Sequence, residues 1–293
     1  MVLGLGNSIT SLYTPGETAY TASASWDFDG TDDHVNFGNS STIKLIPTDT
    51  SEETGITVSC WVYRDDWGSV SSAETFFSCE QYGLSSADGK GWGMYLSSGD
   101  VRVYFTLDTA AGKYTHNTGW KGMAAADGSC TAANTYCRAS NWHLITMTFD
   151  GRYFRSYVDA IAVTVSDTGA DDTVMDYGTD ASDVDVMLGA DPYVNVGGSG
   201  TSTIQAPWEG LINEGAIWNK ALDADAIQEI LDAVNVDGAV LDLTKDSGSY
   251  DYSENLVGLW RASEAEGTTA VDVTGNNNGT IKNDTGTSTS VPS

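Results

Sequence analysis

The chain has 293 residues, of which 40% are hydrophobic, and its 9 Trp, 14 Tyr and 7 Phe are typical of a folded protein rather than a disordered one. Its formal net charge of −28 argues against binding to naked nucleic acid, because a phosphate backbone repels such a surface. Met1–Glu17 lacks the basic and apolar regions of a secretory signal peptide, and no apolar run approaches the roughly 18 residues of a membrane span. We therefore expect synthesis in a cytoplasm without membrane insertion.

Strand signals dominate the chain, because runs rich in β-branched and aromatic residues alternate with loops of Gly, Asp, Ser and Asn. The predicted strands are Ile56–Tyr63, Trp92–Leu96, Val101–Leu107, Leu144–Phe149, Tyr153–Val158 and Ile161–Val165. Asp150-Gly151 predicts a hairpin turn, and Asp159-Ala160 predicts the next corner. One amphipathic helix is predicted over Ala221–Val234, with Asp223 as its cap, and it would cover one edge of a sandwich.

Three regions differ from this pattern. Residues 1–24 are polar and predict an N-terminal arm, and residues 108–140 form a long insertion without clear periodicity. Residues 240–293 add a further strand group that ends in a Thr/Ser-rich tail. Irregular segments this long are uncommon unless they are functional or interfacial.

Five short phrases follow one another in a recognisable order. They are FDGTDDHV (Phe28–Val35), TVSCWV (Thr57–Val62), WHLITMTFDG (Trp142–Gly151), YVDA (Tyr157–Ala160) and GLINEGAIWNKALD (Gly210–Asp223). Together they resemble the laminin-G-like, concanavalin A-like lectin/glucanase superfamily. The resemblance implies an all-β fold: a two-sheet antiparallel jelly-roll sandwich with one short helix. The family's usual Gly at the end of the fourth phrase is Ala160 here, which implies a different corner.

A sixth phrase, Leu256–Ile281, resembles one that opens the domain in most relatives, although here it follows the helix. We expect residues 256–283 to complete the same sandwich in a permuted order, so that residues 25–293 form a single domain. The first and last strands would then be neighbours.

Two further phrases, LGLGNS (Leu3–Ser8) and DLTKDSGSY (Asp242–Tyr250), are similar to concanavalin A-like proteins of tailed, particularly marine, bacteriophages. The resemblance implies a non-enzymatic virion structural protein: a capsid decoration, head fibre or tail-associated appendage. Its partners would be other virion proteins, further copies of itself and host-surface glycans. The alternative is a free-standing carbohydrate-binding or cell-adhesion domain. A glycoside hydrolase is disfavoured, because the E-x-D-x-E triplet of laminarinase-type members is missing and Asp183–Asp185 is the nearest alternating pair.

Calcium is the cofactor that the sequence suggests, since hard cations bind oxygens gathered at turns. The candidate ligands in one turn are Asp29, Asp32 and Asp33, and those in a second turn are Asp272, Asn276 and Asn278. If the first and last strands are adjacent, the two turns could share an ion. The alternative is ordinary hydrogen bonding within each turn.

Aromatic residues in loops are candidates for stacking on sugars or partners. They are Trp120, Tyr136, Trp67 and Tyr82, and the first two lie in the long insertion. That insertion would equally suit a contact with a neighbouring subunit, where aromatic residues are also enriched. Cys130 and Cys137 flank a polar loop, so either a disulfide closes it or both thiols are free.

Overall fold

The computed structural model describes residues 19–44, 55–67, 72–81, 90–97, 100–109, 112–118, 140–167, 174–175, 184–193, 203–234 and 238–293. The strands are β1 (Ala19–Thr21), β2 (Ser25–Asp29), β3 (His34–Asn36), β4 (Ile56–Arg64), β5 (Glu74–Gln81), β6 (Lys90–Ser97), β7 (Asp100–Thr109), β8 (Gly112–Thr118), β9 (Asn141–Phe149), β10 (Tyr153–Val158), β11 (Ile161–Asp167), β12 (Val174–Met175), β13 (Met187–Leu188), β14 (Asp191–Tyr193), β15 (Thr203–Gln205), β16 (Glu209–Trp218), β17 (Ala239–Leu241), β18 (Leu256–Glu266), β19 (Thr269–Asp272), β20 (Gly279–Lys282) and β21 (Gly286–Ser288). The helices are α1 (Ser41–Lys44) and α2 (Ala224–Asp232), and Ser253–Asn255 forms a 3-10 turn.

Most strands form two antiparallel sheets, and β1-β17 and β14-β15 are separate two-stranded sheets. The first sheet has the order β11-β10-β9-β4-β16. On the other side of β16, β2 pairs with its first half and β18 pairs with its second half. Strand β21 pairs in turn with β2. The second sheet has the order β19-β20-β3-β13-β5-β6-β7, with β8 and β12 both paired to β7. The β18–β19 hairpin joins the two sheets along one edge. The predicted all-β antiparallel sandwich is confirmed.

Alternation along the strands builds two hydrophobic cores. In β4, Val58, Cys60 and Val62 face the core between the sheets, whereas Trp61 faces the opposite side. That opposite side is covered by α2, whose buried Ala226 belongs to the second core. The outer face of the first sheet is therefore largely occupied by the protein itself.

Helix α2 begins as the sequence predicts. The Asp223 side chain accepts a hydrogen bond from the Ala226 backbone N–H at 2.8 Å, which satisfies one of the free donors at the helix start. The helix is shorter than the predicted Ala221–Val234 span, covering Ala224–Asp232.

The C-terminal segment lies within the same two sheets as the rest of the chain. Strand β18 pairs with β16, β20 pairs with β3 and β21 pairs with β2. At the other end, residues 19–21 of the expected arm form β1, which pairs with β17. The start of the 108–140 insertion also differs from the expectation, because residues 112–118 form β8.

The corner between β10 and β11 is a tight two-residue turn, since Val158 lies opposite Ile161. Asp159 and Ala160 both have left-handed backbone angles, with φ of 49° and 59°. These are the angles that a Gly-containing hairpin turn normally adopts. The expectation that Ala160 creates a different corner is therefore wrong: alanine tolerates the same turn under strain.

A buried ion network connects β18 to β16 and to the segment after β17. Arg261 Nε donates to Glu214 Oε1 at 2.9 Å, and Arg261 Nη2 donates to Asp242 Oδ1 at 3.2 Å. Burial raises the pKa of Glu214, and the Arg261 charge opposes that rise. Each buried acid of this network thus has a basic partner.

Candidate functional site

The outer face of the second sheet carries an unusual set of polar side chains. Along β5 and β6 the residues Cys79, Trp92 and Met94 point into the core between the sheets. The alternating positions therefore place Ser78, Glu80 and Tyr95 on the outer face, with Arg102 of β7 directly opposite Tyr95. Glu80, Tyr95 and Arg102 are all partly exposed.

Asp191 joins this face from a distant part of the sequence. The Ser78 hydroxyl donates to the Ala190 carbonyl at 3.1 Å, which ties the start of β14 to β5. Gln205 of β15 donates from Nε2 to Asp191 Oδ2 at 2.9 Å. The other carboxyl oxygen, Oδ1, is buried without a hydrogen-bond partner, and Asp191 is only 5% exposed. An unsatisfied buried carboxyl oxygen is costly, and it marks a place where the isolated chain is electrostatically incomplete.

Asp191 and Glu80 both have raised pKa values. Burial raises the pKa of Asp191 to about 7, although the hydrogen bond from Gln205 acts in the opposite direction. Burial and then the negative charge of Asp191 raise the pKa of Glu80 well above its usual range. Among the described residues, no basic side chain contributes to either pKa. With a pKa of about 7, Asp191 is partly protonated near neutral pH, and the pair as a whole ionises at a higher pH than two isolated acids do.

The surroundings of Glu80 leave room for its carboxyl group. Gly93 lies beneath it, where a Cβ atom would come within 3.4 Å of Glu80 Oε2. Tyr95 accepts a hydrogen bond from Arg102, and burial raises the pKa of the Tyr95 phenol. The site thus presents acceptors, a cationic donor and an aromatic ring on one sheet face, a combination suited to polar ligands with both donors and acceptors.

The first predicted calcium turn does gather three carboxylates. The carboxylates of Asp29, Asp32 and Asp33 lie within 4.8 Å of one another. Two of them also accept backbone hydrogen bonds, with Asp33 Oδ2 bonded to the Asp29 N–H and Asp29 Oδ1 bonded to the Thr31 N–H. Burial raises the pKa of Asp33, and the neighbouring carboxylates add to the rise. The donor set suits a hard cation, and within-turn hydrogen bonds account for part of it.

The second predicted turn has another role. Asp272 is buried, and its carboxylate accepts bonds from the backbone N–H groups of Leu259 and of residues 274, 276 and 277. Asn278 Oδ1 accepts the Asp272 N–H at 2.9 Å, and Asn276 Nδ2 donates to the Thr274 carbonyl. Such bonds close the turn internally.

The two turns do not meet. Lys282 pairs with His34, so the turn after β20 lies beside the Asp29–Asp33 turn, and Asn283 Nδ2 donates to the Asp32 carbonyl at 2.9 Å. The Asp272–Asn278 turn lies beyond the other end of β20, a strand length of about 10 Å away. The antiparallel register therefore places the two turns at opposite ends of β20, too far apart to share one ion.

Trp67 is a second correction. It is 2% exposed and packs against Phe76, His143 and Trp208, with ring centroids 6.3, 5.8 and 5.7 Å away. The loop after β4 folds back onto the core, so Trp67 offers no open face to a sugar. Trp120, Tyr136, Tyr82, Cys130 and Cys137 lie outside the described residues.

The remaining sequence candidates are structural. Asp185 accepts a hydrogen bond from Asn36 Nδ2 at 2.8 Å, and Asp183 lies outside the described residues. Cys60 and Cys79 are free and buried, and burial raises the pKa of both thiols, that of Cys79 to about 12. None of the helices in the described part of the chain has the length and apolarity to cross a bilayer.

Sequence reasoning missed Glu80 and Asp191. A single acid at an outward position of a strand is an ordinary surface residue, and nothing local in the sequence indicates that the two acids meet. The contact exists because β13 pairs with β5 and delivers β14 to its outer face. Pairings between distant segments of this kind are not readable from periodicity.

Comparison with known proteins agrees with this architecture. A family model described as the concanavalin A-like lectin/glucanases superfamily matches residues 29–228. No curated protein matches the sequence significantly.

Among solved structures, a candidate carbohydrate-binding protein from Bacteroides ovatus aligns at 15% identity and a TM-score of 0.54, covering 92% of this chain and 60% of that protein. The chain thus spans less than two thirds of the length of that protein. A SAP-like pentraxin from Limulus polyphemus aligns at 14% identity and a TM-score of 0.42, covering 73% of this chain and 84% of the other. The CBM40 domain of a Ruminococcus gnavus sialidase aligns at 14% identity and a TM-score of 0.41, covering 69% of this chain and 95% of the other.

Proposed function

Because the chain belongs to the laminin-G-like family of the concanavalin A-like lectin/glucanases superfamily, we propose that it is a non-enzymatic carbohydrate-binding domain whose ligand contacts the outer face of the second sheet. The observation that carries the proposal is the Glu80–Asp191 pair, which is desolvated and lacks a basic partner among the described residues. Perturbed acids of this kind cluster at functional sites. The opposite face is excluded because α2 covers it.

The chemistry of the face suits a sugar. Carboxylates accept hydrogen bonds from ring hydroxyls, Arg102 supplies donors, and the Tyr95 ring offers an apolar surface with a polar tip. Few polar groups in fixed positions around an apolar surface are the usual composition of a small-ligand site.

A pair of acids with raised pKa values is also what a glycoside hydrolase uses, and this makes hydrolysis the second candidate function. The burial of Asp191 favours binding instead. Its Oδ1 is shut off from solvent and its Oδ2 is held by Gln205, so neither oxygen is placed to transfer a proton to a glycosidic bond. Release of reducing sugar from any glycan that the protein binds would replace the binding proposal with the enzymatic one.

The test is a glycan array probed with the wild-type protein, Glu80→Gln and a matched control, Asp251→Asn. Asp251 is exposed and lies on the segment before β18, away from the site. We expect one class of glycan to bind the wild type and the control but to lose most of its signal with Glu80→Gln. Equal signals from all three proteins would refute the assignment of the site.

We further propose that the domain acts as part of a bacteriophage virion, as a capsid decoration, head fibre or tail-associated appendage that adheres to host glycans. The support is the resemblance of Leu3–Ser8 and Asp242–Tyr250 to phage proteins. Contacts with other virion proteins or with further copies of the chain would use the N-terminal residues and the insertion that holds Trp120 and Tyr136. Co-sedimentation with particles in fixed stoichiometry would support this role, and a protein that never co-purifies with particles would favour a free-standing adhesion domain.

Calcium binding remains a proposal for the Asp29, Asp32 and Asp33 turn alone. The support is the convergence of three carboxylates, whose mutual repulsion a divalent cation would relieve. Calcium should raise the melting temperature of the chelator-treated protein, and Asp32→Asn should remove that increase. An unchanged melting temperature with millimolar calcium would exclude the site.

A further inference from the structure

We propose that the Glu80–Asp191 pair selects ligands that carry an ammonium group, so that the glycan recognised by this face contains an unacetylated amino sugar. The inference rests on the proposed carbohydrate binding and names its ligand class.

The charge balance of the molecule sets this pair apart. Glu214 is equally buried, and Arg261 is bonded to it at 2.9 Å. Asp242 has both Arg261 and Lys245 within 3.2 Å. In the described part of the chain, neither Glu80 nor Asp191 has such a partner, and the charge of Asp191 raises the cost of ionising Glu80. A cation on the ligand would pair with these acids as Arg261 pairs with Glu214.

The geometry gives the two acids different roles. Glu80 is partly exposed and lies over Gly93, so its carboxylate is the group that a ligand would contact. Asp191 is buried and held by Gln205, so it adds negative charge without direct contact. A neutral sugar hydroxyl would satisfy hydrogen bonds but would leave this charge uncompensated, whereas an ammonium group does both.

A primary ammonium fits better than a divalent metal ion. Calcium takes six to eight oxygen ligands, whereas Asp191 is buried and one of its two oxygens is already held by Gln205. The one group of three mutually close carboxylates among the described residues is at the Asp29–Asp33 turn. An ammonium group has three donors, which a few acceptors can satisfy.

Binding should also displace a proton. Asp191 is partly protonated near neutral pH, and a bound cation favours the doubly ionised form of the pair. An amino sugar should therefore release protons from the protein, while a neutral sugar should not. This response distinguishes the site from general attraction of a cation to a chain of net charge −28.

The test compares a trisaccharide of glucosamine with its N-acetylated counterpart by calorimetry at pH 6 and 0.15 M salt, where screening weakens contacts with distant charges. We expect the amino form to bind about tenfold more tightly to the wild type and to Asp251→Asn. Glu80→Gln should reduce the preference to within about twofold. Asp191→Asn should abolish proton release, measured in two buffers of different ionisation enthalpy. Both variants are near-isosteric, and circular dichroism checks their folding.

The other outcomes separate the two proposals. If both trisaccharides bind equally and Glu80→Gln weakens both, the amino-sugar inference fails while carbohydrate binding at this face stands. If the amino form binds all four proteins equally well, its attraction is non-specific and the inference fails. If calcium alone competes with the amino sugar in the wild type but not in Glu80→Gln, the site is a metal site and the inference is overturned. Failure of every glycan on the array to bind would refute the proposed function itself.

Discussion

Asp191→Asn should make the protein more stable at alkaline pH. Removing a buried carboxylate that has a basic partner would instead make a protein less stable. The wild-type carboxyl is buried beside Glu80, and its pKa is raised from 3.8 to about 7. Below pH 3.8 the group is protonated in both the folded and the unfolded state, so it contributes no pH dependence. Between pH 4 and 7 the Asp191 carboxyl is ionised in the unfolded state but still largely protonated in the folded state. Rising pH therefore favours the unfolded state, and the free energy of unfolding falls.

The size of the effect follows from the shift. A difference of about 3 pKa units corresponds to roughly 4 kcal/mol of stability lost between pH 4 and 8, and this is an upper limit because Glu80 shares the proton. The asparagine retains an oxygen for the Gln205 donor but places an unsatisfied N–H group where Oδ1 lies, at a cost of about 1–3 kcal/mol. We therefore expect the variant to be less stable than the wild type at pH 4 and more stable, by about 2 kcal/mol, at pH 8.

The assay is urea denaturation of the wild type, Asp191→Asn and Asp251→Asn at intervals from pH 4 to pH 8. The informative quantity is the slope of unfolding free energy against pH, because it is independent of any constant offset that the amide introduces. The wild type and the control should lose stability together as the pH rises, and the variant should lose markedly less. Parallel curves for all three proteins would show that Asp191 titrates normally in the folded state.

Ala160→Gly should raise the unfolding free energy by about 1 kcal/mol in denaturant titrations, because Ala160 has a φ of 59° that glycine adopts without strain; a loss of stability would contradict the turn geometry. Glu214→Gln should lower it by about 3 kcal/mol, because it removes the charge bonded to the buried Arg261, and a change below 0.5 kcal/mol would show that the pair is not buried. If Cys130 and Cys137 form the predicted disulfide, the non-reduced, denatured protein should expose two reactive thiols, from the two free core cysteines. A count of four would contradict it.

Local patterns predicted the scaffold well. The β-branched and aromatic runs of β4 and β9 and the cap of α2 by Asp223 each depend on neighbouring residues, so they are visible in the sequence. The order of family phrases then indicated the sandwich. Trp67 shows the limit of this reasoning, because its charged neighbours indicate a loop but not the direction in which the loop folds.

The candidate site depends on long-range contacts. Glu80 and Asp191 become partners only because β13 and β14 lie beside β5, and the raised pKa values arise from burial that no local pattern encodes. The idea of an ion shared between two turns depended on long-range register for the same reason. It required the Asp272–Asn278 turn to lie beside Asp29–Asp33, whereas the register of β20 against β3 brings a different turn there.

Hydrogen exchange of the protein, with and without a saturating concentration of its best array ligand, tests whether ligand binds the outer face of the second sheet. We expect slower exchange in Glu74–Gln81, Lys90–Ser97 and Asp191–Tyr193, with little change in Ala224–Asp232 on the opposite face. Protection confined to Ala224–Asp232 and its neighbours, with the β5, β6 and β14 amides unchanged, would contradict it.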